Sequence, residues 1–503
     1  MTDAFSKIDI EIIKGLPNTT PFAGLFQVGK MCDALKLPEI INTCLNVRRN
    51  KGYSDAEHVL SLVFMQLAGG EAVEHLGSFA ERFKLEFSSL NIPSPTAVRD
   101  FLNEFHNAEE DSKRVQGHVF IPKEKDSLAG FQDIHAQLLQ KAYTLNPLEN
   151  ITLDQDATFI NSQAAGALYN YHRERSFEAL NTYCPEYDLV VRTQFRDGNV
   201  NPGWGQLEQL QKALENLPSG VKKVSLRSDS AGYQELLLKY CAAGENERLG
   251  IIDFAISCPM YAALRNTARA LPENCWNPLM KEKIIRGVKG LQYTGQDWAE
   301  VSFVPSWLVS DKNDFELRYL VIRERIDSKD TGALHEAMEA RQGIIEEVIA
   351  DAEAENPNLK KLHMEEMSGQ IYKMFAVVTN KMEIEGSELI FWQRRRCGKS
   401  EELHYILKEE LGGGNLSRKR YGANAAWWNI TVLALSIHSL FKRYFLPKEL
   451  QTIRVKGLRY LYYTSVGQLV KHARKFVLKI HAVFSKWFEY VNQRLKVVSD
   501  TLH

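Results

Sequence analysis

The chain has 503 residues, 44% hydrophobic and 25% charged, with a formal net charge of −1 at pH 7. A chain of that length folds into roughly two to four domains with real cores, and its composition is that of an ordinary globular protein. The seven cysteines, at 32, 44, 184, 241, 258, 275 and 397, are scattered without a Cys-x-x-Cys pair, which argues against a zinc site or a redox dithiol and suits a reducing compartment.

The opening "MTDAFSKIDIEIIKGLP" carries charges where a signal peptide needs an apolar core. From about residue 20 to 145 the pattern is helical: "FAGLFQVGKMCDALKL", "DAEHVLSLVFMQLAGG" and "VEHLGSFAERFKLEF" repeat apolar residues at three- and four-residue spacing. In "SLNIPSPTAVRDFLNEFH", Ser94, Pro95 and Thr96 stand at a helix start with Arg99 in its first turns. This is compatible with the second helix of a helix-turn-helix, although short helical pairs are common and the signal alone is weak.

The pattern changes at Asn146. "NPLENITLDQDATFI" holds a turn and a strand, and "LNTYCPEYDLVVRTQFRDGN" gives two more strands ending in an Asp-Gly turn. The helix "WGQLEQLQKALENLP" and the strand "VKKVSLRSDSAGY" follow, so three strands, a helix and a further strand match the opening order of a ribonuclease-H-like domain. From Ile251 to about His363 short β-like runs alternate with the acidic "LHEAMEARQGIIEEVIADAEAENPN", read as an inserted, strand-containing segment.

In "WQRRRCGKSEELHYILKEELGGG" a helix is expected to start at Ser400 as N-cap and to end at Gly412 to Gly414. Its Glu401 and Glu402 then complement the positive end of the helix dipole, which explains both acids without any function. "WWNITVLALSIHSLF" (Trp427 to Phe441) is short and holds Asn429 and His438, so it reads as a buried helix and not a membrane span. From Arg418 onward Lys and Arg outnumber Asp and Glu by roughly five to one, which gives a near-neutral chain a face suited to phosphates.

Three acids stand out. Alternation in "ITLDQDATFI" puts Thr152, Asp154, Asp156 and Thr158 on one strand face, where carboxylates are costly unless paired, cation-bound or solvated. Asp229 lies where the strand "VSLRSDSAGY" runs out, a place for functional groups and also for a turn-forming Asp. With a third acid opening a helix beyond the insertion, the set suits Mg²⁺ and metal-dependent phosphodiester chemistry.

These blocks resemble the bacterial insertion-sequence transposases of the DDE type, in the group whose third acid lies in a Tyr-Arg-Glu-Lys signature. The likeness covers nearly the whole chain. "TPFAGL" and "LAGGEAVEHL" come early, "LDQDAT" and "LRSDSAGY" hold the first two acids, "VVTN" precedes the third, and "RRRCGKSEELHYILK" with "YGANAAWW" forms the signature block. It implies an α/β ribonuclease-H-like catalytic core, in two parts at 146–250 and 364–445, around an insertion domain at 251–363. A helical DNA-binding region at 1–145 and a basic helical region at 446–503 flank it.

Carried over by residue, the resemblance makes Asp156 the first metal ligand, because the family's acid precedes a threonine by two; Asp154 is the reserve. Asp229 becomes the second ligand and Glu401 the third, with Lys408 two helical turns on and Glu402 a mere first-turn charge. Two Mg²⁺ ions are implied, with Mn²⁺ able to substitute. Two departures stand: Trp392 replaces the usual tyrosine, and the step from Arg396 to Glu401 is one residue longer than in the commonest form of the signature, so the signature arginine is open between Arg394, Arg395 and Arg396.

Those arginines, Lys408, Arg418, Lys419, Arg420 and Arg99 are the implied DNA contacts, and Trp298 and Trp307 the candidates for stacking a flipped base. The implied activity is cut-and-paste transposition of double-stranded DNA, joining terminal inverted repeats to target DNA, by a homodimer acting on the nucleoid in the bacterial cytoplasm and not at a membrane. The alternatives are a metal-dependent nuclease without strand transfer and an inactive, domesticated DNA-binding protein.

Overall fold

The computed structural model describes residues 18–47, 52–83, 90–285, 288–309, 315–326, 364–367, 370–416, 419–472 and 475–502. The acidic stretch Leu334 to Asn358 and the DNA-contact candidate Arg418 lie outside them. A short strand β1 (Thr19–Thr20) leads into the helices α1 (Ala23–Ala34), α2 (Leu37–Leu45), α3 (Asp55–Ala68), α4 (His75–Phe83), α5 (Pro95–Glu104), α6 (Ala108–Ser112) and α7 (Asp126–Leu145). Their starts follow local chemistry: Ser54 and Glu57 form a capping box on α3, and Ser94 caps α5 with Pro95 in its first turn.

The chain then builds a sheet from β2 (Asn150–Asn161), β3 (Leu168–Tyr169), β4 (Arg175–Cys184) and β5 (Leu189–Asp197). Helix α8 (Gln206–Glu215) leads to β6 (Lys223–Ser228), and α9 (Glu235–Ala243) to β7 (Asp253–Cys258). β5 pairs with β4, β4 lies antiparallel to β2, and β2, β6 and β7 run parallel in that order. The insertion expected from Ile251 therefore begins too early, because the buried apolar run "DFAISC" is a strand of this central set, with Ser225 opposite Asp253.

After α10 (Ala262–Arg269) come β8 (Asn277–Ile285), β9 (Val288–Val301), β10 (Arg318–Arg325), β11 (Met364–Met367) and β12 (Gln370–Thr379). β12 pairs antiparallel with β7, and the order β12-β10-β9-β8 continues the same sheet outward. β10, β9 and β8 are thus an extension of the central sheet.

Two long helices follow, α11 (Gly386–Tyr405), which runs into a π-helical turn at Ile406–Glu410, and α12 (Tyr421–Tyr444). Every residue of α12 from Tyr421 to Phe441 is buried, as its apolar pattern requires, and no helix among the described residues is long and apolar enough to cross a membrane. It lies between α3, α5 and α7 on one side and β5 on the other.

The region 446–503 is not wholly helical. β13 (Gly467–His472) and β14 (Lys475–Ile480) form an antiparallel pair, and Thr19 of β1 adds opposite Gln468. The apolar-Lys alternation of "QLVKH" and "KFVLK" has the period of a strand, whereas its cations and aromatics suggested a basic helix. The last helix, α13 (Ser485–Leu502), buries Phe488, Val491, Leu495 and Val498 and lies along α1, where the Gln27 amide donates to Phe488 O at 2.9 Å.

Close approach at Gly422 sets how α12 meets α5: a Cβ there would stand 2.3 Å from the Phe105 carbonyl oxygen. Gly422→Val should lower stability by about 1–3 kcal/mol, read as a lower midpoint in thermal unfolding. An unchanged midpoint would show that the backbones do not meet there.

Candidate active site

The strand face holding Thr152, Asp154, Asp156 and Thr158 is covered by α11, so these acids are not surface charges. Asp154 is 1% exposed. Its two oxygens accept from Nε and Nη2 of Arg227 at 2.6 and 2.8 Å, and Arg227 Nη1 donates to Trp392 O at 2.8 Å. The Trp392 ring is flanked by Arg227 and by the Lys381 ammonium, each 5.3 Å from its centroid. The Trp392 indole therefore covers a buried ion pair, and Asp154 is engaged by that pair. Burial raises the Asp154 pKa, and its hydrogen bonds to Arg227 oppose the rise.

Asp156 lies two residues on, near the C-terminal end of the parallel register. The last registered pair of β2 and β6 is Gln155 with Ser228, so the next step sets Asp156 beside Asp229. Asp229 Oδ1 accepts from Ala231 N at 2.9 Å, capping the short turn Ser230–Gly232. Arg396 Nη1 donates to Asp156 Oδ2 at 2.9 Å, while Arg396 Nε is buried without a partner. Burial pushes the Asp156 carboxyl up to about 6, Arg396 opposing and the Asp229 charge adding to it. Burial works against the Arg396 charge too, but Asp156 and then Asp229 outweigh it and raise its pKa. The result is two carboxylates and one guanidinium where the parallel pairing of β2 with β6 ends.

Helix α11 does not start at Ser400. It starts at Gly386, where the Glu385 side chain accepts from Glu388 N at 3.0 Å, and Ser400 is buried within it. Glu401 and Glu402 are therefore mid-helix residues, and the helix-dipole explanation for them fails. Helix phase sorts the arginines: Arg396 faces the acids, Arg394 reaches across to Gln296 of β9 at 2.8 Å, and Arg395 is exposed. Glu402 pairs with Lys399 at 3.5 Å. Glu401 is exposed, and among the described residues no group of three or more His, Cys, Asp or Glu side chains is gathered as a metal set. Lys408 returns to the strand of the first acid, its ammonium donating to Thr158 Oγ1 at 3.1 Å and Phe159 O at 3.3 Å, and burial lowers its pKa.

The remaining candidates lie apart from this centre. Arg99 is ion-paired to Glu74 at 2.5 Å, and Lys419 and Arg420 are exposed ahead of α12. Trp298 and Trp307 are packed: a Cβ on Gly386 would lie 2.2 Å from the Trp298 ring, and the Lys239 ammonium sits 5.4 Å from the centroid of the half-buried Trp307.

Sequence reasoning passed over Glu178 on β4, which is fully buried and accepts from Arg196 Nη2 at 3.0 Å. Its Oε2 has no partner; burial pushes it up to about 7, Arg196 opposes this, and Asp229 adds to it. A charge inside the apolar strand "SFEALNTY" is the same signal that marks Asp154 and Asp156.

Asp154 and Asp156 separate on this geometry. Asp154→Asn should leave Arg227 buried and unpaired and cost about 3–5 kcal/mol, measured by chemical denaturation. A variant as stable as the parent would return Asp154 to the list of metal ligands.

The family model for "Transposase DDE domain group 1" matches residues 17–362, more than half of the chain and including Asp156 and Asp229. Among solved structures, a cryo-EM structure of the piggyBac transposase synaptic complex with hairpin DNA is similar at 9% identity, over 95% of this chain and 84% of that chain, with a TM-score of 0.40. Likeness at that level defines neither function nor site. A search of curated proteins finds no match. By its family match the chain belongs to the DDE transposases and is a DDE transposase enzyme.

Proposed function

We propose that the chain cuts transposon ends and joins them to target DNA in a cut-and-paste reaction, and that its core is ribonuclease-H-like. The order β5-β4-β2-β6-β7, with β4 antiparallel to three parallel strands, supports the core assignment. The carrying observation is Asp156 beside Asp229 where the parallel pairing of β2 with β6 ends, met by Arg396 from the helix that also bears Glu401.

Divalent ions belong with DDE chemistry, and the donor set tests whether they fit here. Asp156 and Asp229 offer hard carboxylate oxygens, and crowding such acids beside one buried arginine favours a divalent cation. The pair fits Mg²⁺, with Mn²⁺ able to substitute. Glu401 is proposed as the third ligand on the family resemblance alone. When bound, two such ions supply Lewis-acid activation of the attacking oxygen and neutralise charge on the leaving one.

The chain's own residues do the rest. Arg396 holds Asp156 in place and counters its charge; Lys408 fixes the strand two residues beyond it. In the first step a water oxygen forms a bond to phosphorus, the bond to the 3′-oxygen breaks, and that oxygen takes a proton to become a 3′-hydroxyl. In the second, this hydroxyl attacks a target phosphodiester, and the displaced 3′-oxygen takes the proton. Arg395, Lys419 and Arg420 are exposed cations suited to DNA phosphates, and Arg394 binds the inserted strand instead. A homodimer holding both inverted repeats of a bacterial insertion sequence, acting on the nucleoid in the cytoplasm, completes the proposal.

With a labelled element end, a target plasmid and Mg²⁺ or Mn²⁺, the chain should give 3′-end cleavage and joined products. Asp156→Ala and Glu401→Ala should each lower cleavage at least ~100-fold, the loss of several kcal/mol of charge stabilisation. Cleavage without joining supports the nuclease reading, and full activity in either variant removes that residue from the site.

A proton on Asp156 competes with a cation for the same oxygens. Its pKa of about 6 means that the carboxylate is free of its proton above that pH and holds it below. Mn²⁺ affinity measured by calorimetry should therefore level off above pH 7 and fall by up to about tenfold per pH unit below 6. Equal affinity at pH 5 and 7.5 would exclude Asp156 as a ligand.

A further inference from the structure

The sheet face opposite Asp156 carries buried charges that the proposed reaction does not use. In the register of β2, β4 and β5, Phe159 stands opposite Glu178 and Glu178 opposite Arg196, so both point away from the face of Asp156 and its partner Asn181. Both are 0% exposed. Arg196 Nη2 donates to Glu178 Oε1 at 3.0 Å, while Glu178 Oε2 and Arg196 Nε have no partner. Apolar residues of the same volume often stabilise a core as well as a buried ion pair does, so stability is a weak reason for this one. What the pair supplies is direction.

The remaining bonds of the guanidinium go to the loop between β5 and α8, Nη1 to Trp204 O at 2.6 Å and Nη2 to Pro202 O at 3.2 Å. Gln206 Nε2 donates to the same Pro202 O at 2.7 Å, and Gln206 Oε1 accepts at 2.6 Å from Gln155, the residue just before Asp156. No side chain from Asn201 to Gly205 is buried, so bonds to the backbone hold this loop. The loop lies on the turn that Asp229 caps. A Cβ on Gly203 would stand 3.2 Å from Ala231 O and 2.6 Å from Nε2 of Gln234, which itself donates to Ala231 O at 3.1 Å. Gly232 of that turn rests against Ser228, whose Oγ donates to Gln155 O at 2.9 Å.

We propose that Arg196, held by Glu178, is a positioning residue for the second acid: it fixes the loop Pro202 to Trp204 against the turn Ser230 to Gly232, and so fixes Asp229 relative to Asp156. A planar guanidinium gripped by a carboxylate aims two donors at two carbonyls in one arrangement, which a flexible ammonium does not. Carboxylates that share a small divalent cation tolerate little displacement, so a support behind one of them is felt as metal affinity. The inference rests on the transposase reading above, in which Asp156 and Asp229 hold the ions; Arg196 and Glu178 act only through the loop.

The test is Mn²⁺ affinity, measured by calorimetry on the full chain without DNA, together with cleavage of a labelled element end as Mn²⁺ is varied. Arg196→Lys keeps the buried charge and loses the fork. Gly203→Val leaves the buried pair untouched and, at a partly exposed residue outside the left-handed region, pushes the loop off the turn. Each should weaken Mn²⁺ binding about tenfold. Each should also raise the half-saturating Mn²⁺ for cleavage by the same factor, with KM for the DNA unchanged and cleavage restored by excess Mn²⁺. Asp229→Ala should not be restored. A merely structural role would lower the unfolding midpoint or the amount of active protein and leave Mn²⁺ affinity as it was, and that result overturns the proposal. Where Arg196→Lys does not fold, Gly203→Val decides. If Asp229→Ala binds Mn²⁺ and cleaves like the parent, the reading of the site fails and the positioning role with it. If Asp229→Ala loses both while Arg196→Lys and Gly203→Val match the parent, the positioning role alone is overturned.

Discussion

Helix α12 is the constraint on which the molecule depends. It is buried along almost its whole length, and its polar side chains are tied outward in several directions. Thr431 accepts from Gln66 of α3 at 2.9 Å, Asn429 accepts from Gln132 of α7 at 3.1 Å, Trp428 donates to Thr193 of β5 at 2.9 Å, and His438 meets Tyr463 at 2.9 Å. Apolar packing alone tolerates rotation and sliding of a helix, whereas buried hydrogen bonds with fixed partners do not. The first helices, the central sheet and the C-terminal region are thereby held together, and the π-helical turn that ends α11 packs against α12.

Electrostatics then sets two neighbouring acids apart. Asp154 and Asp156 share a strand face and differ in what meets them. A bidentate arginine under an indole satisfies Asp154 completely, whereas Asp156 shares a single guanidinium contact with the influence of Asp229. The same asymmetry marks Glu178, half-served by Arg196 on the neighbouring strand.

Much of this was legible in the sequence where the signal is local. Alternation in "ITLDQDATFI" assigned the strand face correctly, and the strand order from Asn146 to Asp229 followed from turn residues and periodicity. Local signals also misled. Ser400 has the chemistry of an N-cap, but tertiary contacts carry the helix through it, and the working cap, Glu385, sits in an "EIEGSE" run that looks like a loop. Three consecutive arginines cannot be ranked by composition; once the helix starts at Gly386, steps of about 100° send them in three directions. The strand "DFAISC" was lost in the insertion because a short apolar run carries no period, and Arg227 and Arg196 were missed because their partners lie on other strands.

The small sheet of β1, β13 and β14 joins Thr19 to Gln468 across nearly the whole chain. Contacts of such sequence separation form late, since the loop they close is long and its entropy must be overcome first. During synthesis the helices of the first 145 residues exist without the α12 surface they bury and without the strand that extends β1. Half-made copies of this enzyme therefore present apolar helix faces and an open strand edge. The protein's exposure to aggregation and proteolysis is concentrated in the interval before its last fifty residues arrive, and far less in the finished fold.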